Sequence, residues 1–310
     1  MIMRRISKAY FPNNRPSSLS SQFYASIFIR DVHTGIMPYK YRQNSNVIIE
    51  LCKTNRKLAD KLKEFLYVGH YSAGWNLSET ITDSIEAIAH YVVALGDEYF
   101  EIVDTTDTHK DGLTDKKLER LPSGKIFKVF NKYIQLVPLS DWRHKEKKIY
   151  VIPADRIWHI KLPRKLGSPR SHRKLLKKLA KLSSPRPEFT HKDGDLGQSA
   201  YYNFMLHHDK KELAVEQLMT KWGSIPSLKQ LSHTTEYYYI IRNLQFSYSK
   251  ALLREHILSE INDLIKRLGI DNEIMMTGVG TSTDITEAIK KLDKGEIGFS
   301  EALKAAKDLG

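Results

Sequence analysis

One cysteine, Cys52, occurs in 310 residues, so an intramolecular disulfide and a four-thiolate metal site are both excluded. No window approaches the roughly 20 apolar residues that span a bilayer. The basic amino end, MIMRRISKAYFPNNRPSSLSSQ, has no apolar core of signal-peptide length before its Pro/Asn/Ser stretch. These absences read as a soluble, non-secreted protein of a reducing compartment, with no membrane partner. Acidic residues are missing from one stretch above all: between Lys161 and Lys181 there are nine Lys/Arg and no Asp or Glu.

What is present is a globular composition with a strong basic excess. Hydrophobic residues make up 41% and aromatics 10%, which argues against disorder. The formal net charge of +13 favours polyanionic partners through Coulomb attraction and counterion release. Nucleic acid is the first candidate, with an anionic membrane or an acidic protein as the others.

The pattern along the chain is α+β. Residues 1–44 read as a flexible basic arm, with YASIFIRD (Tyr24–Asp31) as a short strand. Residues 45–163 form a mixed, wing-like α+β region. Val47, Ile48, Leu51, Leu58, Leu62 and Leu66 recur there at helical spacing over Asn46–Tyr67. A helix capped by Asn76 places Leu77, Ile81, Ile85, Ile88 and Val92 on one face and ends at Gly96. DEYFEIVD follows as an alternating strand, and KIFKVF, KYIQLVPL, KKIYVIP and RIWHIKL together make one small antiparallel sheet.

Residues 164–269 are a helical, stem-like region: a basic helix over 171–182, a polar linker, a helix to about Trp222 and a long helix from Thr234 to Gly269. Residues 270–310 give a strand, EIMMTGVG, and two short helices. Ser282 or Thr283 is expected to cap the first of these, with Glu287 in its opening turn.

Few residues are arranged for chemistry. The cations Arg164, Lys165, Arg170, Arg173, Lys174, Lys177, Lys178 and Lys181 match a sugar-phosphate track. The same letters also describe a solvated face, or one packed on an acidic neighbour. His159 in RIWHIKL has no partner marked by local spacing and reads as structural. HKDGD (His191–Asp195) could grip a divalent ion but is ordinary turn chemistry, short of an EF-hand ladder. His207 and His208 are adjacent and point about 100° apart on a helix, so they cannot chelate one ion. TGVGTSTD lacks the lysine of a phosphate loop. Tyr237–Phe246, YYYIIRNLQF, fits interhelix or subunit contacts better than base stacking. The inventory holds no catalytic constellation, no metal site and no cofactor site, and points to a protein that is not an enzyme.

Several segments, read in order, resemble the portal proteins of tailed bacteriophages. They are YVVALGDEYFEIVD (Tyr91–Asp104), VIPADRIWHIKLP followed by GSPR, LREHILSEINDLIKRLGI, and KLDKGEIGFSEALKAAKDLG. The order and approximate spacing run over residues 80 to 310, in what would be a short member of the family. The resemblance implies a ring homo-oligomer, usually dodecameric, at one capsid vertex of a virion. Double-stranded DNA would be packaged and ejected through it. The implied partners are the large terminase subunit, the major capsid protein and a head-completion or tail connector protein. In such a ring the helix Arg170–Lys181 would lie partly along the channel and partly against acids of the next subunit, Glu255, Glu260 or Asp263. Two other classes fit the residues unaided: a monomeric or dimeric nucleic-acid-binding module using the basic helix, and a metal-dependent nucleic-acid enzyme built on HKDGD.

Overall fold

The computed structural model describes residues 5–6, 9–10, 23–37, 47–68, 76–105, 116–121, 125–139, 147–182, 190–191, 201–223 and 235–308. The first elements are β1 (Arg5–Ile6), α1 (Phe23–Thr34), β2 (Ile48–Leu51), α2 (Arg56–Phe65), α3 (Leu77–Leu95) and β3 (Asp97–Thr105). Strands β4 (Lys116–Leu121), β5 (Ile126–Val129), β6 (Lys132–Leu136), β7 (Ile149–Pro153) and β8 (Ile157–Lys161) follow. The rest comprises α4 (Pro169–Lys181), β9 (Thr190–His191), β10 (Tyr201–Tyr202), α5 (Phe204–Trp222), α6 (Glu236–Arg267), β11 (Ile274–Thr277), α7 (Ser282–Asp293) and α8 (Phe299–Asp308). This is an α+β fold with antiparallel sheets. It divides into two units: Met1–Pro16, Met37–Lys161 and Arg254–Val279 in the first, Ser17–Ile36, Leu162–Leu253 and Gly280–Gly310 in the second.

The first unit is built around β3. Helix α3 starts on a capping box in which Asn76 Oδ1 accepts from the Glu79 N–H and Glu79 answers at the Asn76 N–H. Ile81, Ile85, Ile88 and Val92 are fully buried along one face. The helix stops at Gly96, whose φ of 85° turns the chain straight into β3. Strand β4 pairs with one edge of β3, from Tyr99↔Leu121 to Asp104↔Lys116. Strands β8 and β1 share the other edge, through Asp97↔Lys161 to Glu101↔Ile157 and then Asp104↔Ile6. A second sheet, β5-β6-β7, turns Ile126, Tyr133 and Ile152 onto Tyr99, Leu121 and Ile157.

Asparagines secure the third pairing of this unit, β2 with β11. Asn262 on α6 both accepts from the Ile274 N–H at 2.9 Å and donates to its carbonyl at 3.0 Å. Asn272 does the same for Lys53, at 3.0 and 2.8 Å. Each amide takes the place of a strand neighbour for a backbone that would otherwise lack one.

In the second unit, Phe28 of α1 meets Trp222 of α5 edge-on at 5.2 Å, and His172 of α4 lies 5.7 Å from the same indole. A separate cluster joins Ile240, Leu244 and Ala251 of α6 to Ile285 and Leu292 of α7 and Ala302 of α8.

The structure corrects several sequence expectations. YASIFIRD is helical, within α1. An eight-residue window shows alternation, but over the whole segment Ala25, Phe28, Ile29 and Val32 are the buried set, at i, i+3, i+4 and i+7. Asn46–Tyr67 is β2 followed by α2, because Asn55 caps a new helix by accepting from the Leu58 N–H. The four β-rich runs do not form one sheet: β8 joins β3, leaving β5, β6 and β7 together. Strand β4, KKLERL, was not anticipated, since only Leu118 and Leu121 of it are buried. Thr281, not Ser282 or Thr283, caps α7, in a box with Asp284. Of the amino-terminal arm, the described parts are docked: β1 pairs with β3, Tyr10 is buried, and the Gln135 side chain bonds both Tyr10 backbone groups at 2.8 Å. The rest of the arm and the Lys192–Asp195 part of HKDGD lie outside the described residues.

Candidate nucleic-acid interface

Strand β8 runs out through Leu162 and Pro163 into a single helical turn, Arg164–Leu166, that ends at Gly167 with φ 116°. Ser168 then caps α4, its hydroxyl accepting from the Ser171 N–H at 3.2 Å, and Pro169 occupies the first turn. Proline there fixes φ at a helical value and removes an N–H that would have no intrahelical acceptor. Gly-Ser-Pro is thus a stop, a cap and a start in three residues.

The apolar side of α4 is Leu175, Leu176, Leu179 and Ala180, all buried. Opposite it the structure leaves every candidate cation exposed: Arg164 and Lys165 in the turn before the helix, and Arg170, Arg173, Lys174, Lys177, Lys178 and Lys181 on it. Three of them make hydrogen bonds to neutral groups. Arg173 Nε donates to the Pro169 carbonyl at 3.2 Å, Lys178 to Gln217 Oε1 at 3.0 Å, and Lys165 to the Tyr248 hydroxyl at 3.2 Å. Helix α5 adds Lys210, which borders a hollow with Lys178 and Lys181. No local signal marks Lys210, because α5 carries Asp209 and Glu212 beside it and its charge looks balanced in one dimension.

A second polar cluster lies wholly in the first unit. Asp97 Oδ2 is 3.3 Å from His159 Nε2, and the His159 ring stacks on Tyr99 at 3.9 Å. On the opposite face of β3, Arg120 donates to Glu98 Oε2 at 3.2 Å and its guanidinium sits 3.6 Å over the Tyr91 ring. The two pairs share a geometry. His159 lies opposite Tyr99 and Arg120 opposite Phe100, so each reaches diagonally to the acid two residues earlier. Burial pushes the Glu98 carboxyl up to about 7, with Arg120 pulling the other way. His159 therefore has a carboxylate partner that local spacing could not mark, 62 residues away.

His159 also borders a cleft of about 420 Å³ in that unit, with Tyr133, Lys161, Glu260, Asp263 and Arg267. Glu260 and Asp263, two of the acids expected to meet a neighbouring subunit's basic helix, also line this cleft; Glu260 Oε1 is 3.8 Å from His256 Nε2. His207 and His208 diverge as expected: His207 Nε2 is 3.1 Å from the Leu182 carbonyl, while His208 stacks against Phe204. Tyr237 to Phe246 does not present one stacking surface. Tyr237 is exposed and donates to Asp293 at 2.7 Å, Tyr239 packs on the α6–α7–α8 cluster, and Phe246 is buried. Among the described residues no group of three His, Cys, Asp or Glu is placed to hold a metal ion, and no helix is long and apolar enough to cross a membrane.

No protein-family model matches the chain, and no curated protein matches it. Among solved structures, a chain described as "Virion of native gene transfer agent (GTA) particle" is similar at 14% identity and a TM-score of 0.48, over 91% of this chain and 89% of its own.

Proposed function

We propose that the protein is a portal-like structural subunit: a ring-forming channel protein at a capsid vertex of a virion, through which double-stranded DNA passes. The observation that carries this reading is the face of α4. Eight cations stand in solvent along Arg164–Lys181, six of them on a helix whose other side is buried leucine, and no acid interrupts them in sequence. Such a face supplies a row of positive potential, which suits a duplex held by its phosphates regardless of sequence. Lysines on flexible stems also suit a passenger that must move, since each contact is weak and exchanged easily with water.

The colinear resemblance supports the same reading, and its segments coincide with distinct elements. Tyr91–Asp104 is the end of α3 and most of β3, RIWHIKLP with GSPR is β8 and the start of α4, LREHILSEINDLIKRLGI is the end of α6 and the turn after it, and the last segment holds the end of α7 and then α8. Within the third of these segments, Asn262 clamps β11. In this reading the chain has no catalytic residue or cofactor. Its partners are further copies of itself in a ring closed by unlike-patch contacts repeated around one axis, together with the large terminase subunit, the major capsid protein and a head-completion or tail connector protein. Glu255, Glu260 and Asp263 are the acids proposed to face a neighbour's basic helix.

Light scattering and negative-stain imaging of the purified protein test this directly. The expected particle is many times 35.8 kDa and radially symmetric. A monodisperse monomer or dimer that still binds duplex DNA through α4 would replace the ring with a simple nucleic-acid-binding module.

A further inference from the structure

The basic face of α4 is not uniform. On its α5 side, Lys178, Lys181 and Leu182 face Lys210, Leu213 and Ala214 across a groove of about 220 Å³. The two walls are tied at both ends. His207 of α5 meets the Leu182 carbonyl at 3.1 Å, and Lys178 donates to Gln217 of α5 at 3.0 Å. The groove is therefore preformed, which lowers the ordering cost of binding. Leu213, 56% exposed, leaves an apolar side chain in water on its rim. The other side of the helix is different: Arg173 is about 140° around α4 from Lys178, by 100° per residue, and it bonds back to its own helix at the Pro169 carbonyl.

A duplex uses only half of such a site. Its phosphates would satisfy the lysines, but its apolar surface is stacked inside and offers nothing to Leu213, Leu182 and Ala214. An occupant that uses the whole site brings carboxylates on either side of an apolar side chain. We propose that the α4–α5 groove is a docking site for an acidic segment of a partner protein, anchored by a leucine-like side chain between Leu213 and Leu182, with Lys178, Lys181 and Lys210 meeting its carboxylates. This is recognition of a short amphipathic segment in a groove, with charge complementarity setting the partner class. It stands on the groove alone and holds whether or not the subunits form a ring.

The test uses two fluorescein-labelled synthetic peptides. One is glutamate-rich with leucines at i, i+4 and i+7; the other has serine in place of each leucine. Anisotropy is read with the full-length protein, and a labelled short duplex is titrated in parallel. The leucine peptide should bind about tenfold more tightly than the serine peptide. Leu213→Ser should abolish that margin while leaving duplex affinity and the melting curve unchanged, because the residue is exposed and the substitution is neutral. Lys178→Gln combined with Lys181→Gln should weaken the leucine peptide about tenfold, and Arg173→Gln should not. Equal binding of the two peptides, or a margin that survives Leu213→Ser, would overturn the proposal as mere charge attraction. Loss of duplex binding in Leu213→Ser would assign the groove to nucleic acid instead. A fall in oligomer mass in the same variant would assign it to a second copy of the chain. The peptide margin and the oligomer mass are separate readouts, so failure of the ring reading cannot be mistaken for failure of the groove.

Discussion

Strand β3 sinks its acids into the first unit, Asp97, Glu98 and Glu101 all being buried, whereas helix α4 in the second unit keeps each of its lysines and arginines in solvent. Both segments are rich in charge, yet the physics differs. A buried carboxylate loses hydration and must recover it from partners fixed by other strands, which is what Arg120 and His159 supply to Glu98 and Asp97. An exposed ammonium keeps its water and needs nothing from the fold. The charge of β3 is thus a structural matter and the charge of α4 is available to a partner. The formal +13 of the chain does not separate the two.

The largest expected break in this comparison comes from the leucines behind the lysines. Leu176→Ala, at a fully buried site, should cost about 3–4 kcal/mol in urea unfolding and abolish duplex binding with it, because the cations are held in place by that apolar side. If duplex affinity persisted while stability fell by this amount, the cations would not need the helix.

A change of comparable or smaller size is expected from pH in β3. The folded Glu98 carboxyl is pushed up to about 7 by burial, from 4.5. The native state therefore holds a proton that the unfolded chain has released between those values. By linkage, the contribution is fully present below about pH 4.5 and is lost as pH rises to about 7. Its size is on the order of 3 kcal/mol. Glu98→Gln should remove that slope, seen as the difference between variant and parent in urea midpoints across pH 5 to 8. An unchanged slope would place the titration elsewhere.

The smallest effect on stability, and the one that sharpens the contrast most, belongs to Lys174 and Lys177. Replacing each with Gln should alter unfolding free energy by no more than about 0.5 kcal/mol. The salt dependence of duplex binding should fall by about one unit of log–log slope per phosphate contact removed. A stability loss well beyond that would mean that the row is structural after all.

Local signals made much of the fold legible. The Asn76 cap, the Gly96 stop and the four buried isoleucine and valine positions of α3 all act within a few residues of one another, so their outcome can be read in one dimension. The same holds for α4, where Leu175, Leu176, Leu179 and Leu182, at i, i+1, i+4 and i+7, define the buried side and leave the cations outside. Strand partnering was not legible in this way. Nothing near KKLERL announces that it completes an edge of β3, and nothing near RIWHIKL separates it from β5, β6 and β7. The groove beside α4 was equally hidden, since Lys210, Leu213 and Ala214 reach Lys178 and Lys181 only when two helices pack.

By itself the sequence determined the cap, the buried face and the stop of α3, that the chain is basic, and that the cations of Arg164–Lys181 stay hydrated, because capping, helical periodicity and the cost of burying an ammonium all operate locally. Only the tertiary structure decided which charges face partners within the fold. Pairing Glu98 with Arg120, His159 with Asp97 and Asn262 with Ile274 depends on strand register and helix placement across long stretches of chain, and no local free energy encodes those distances.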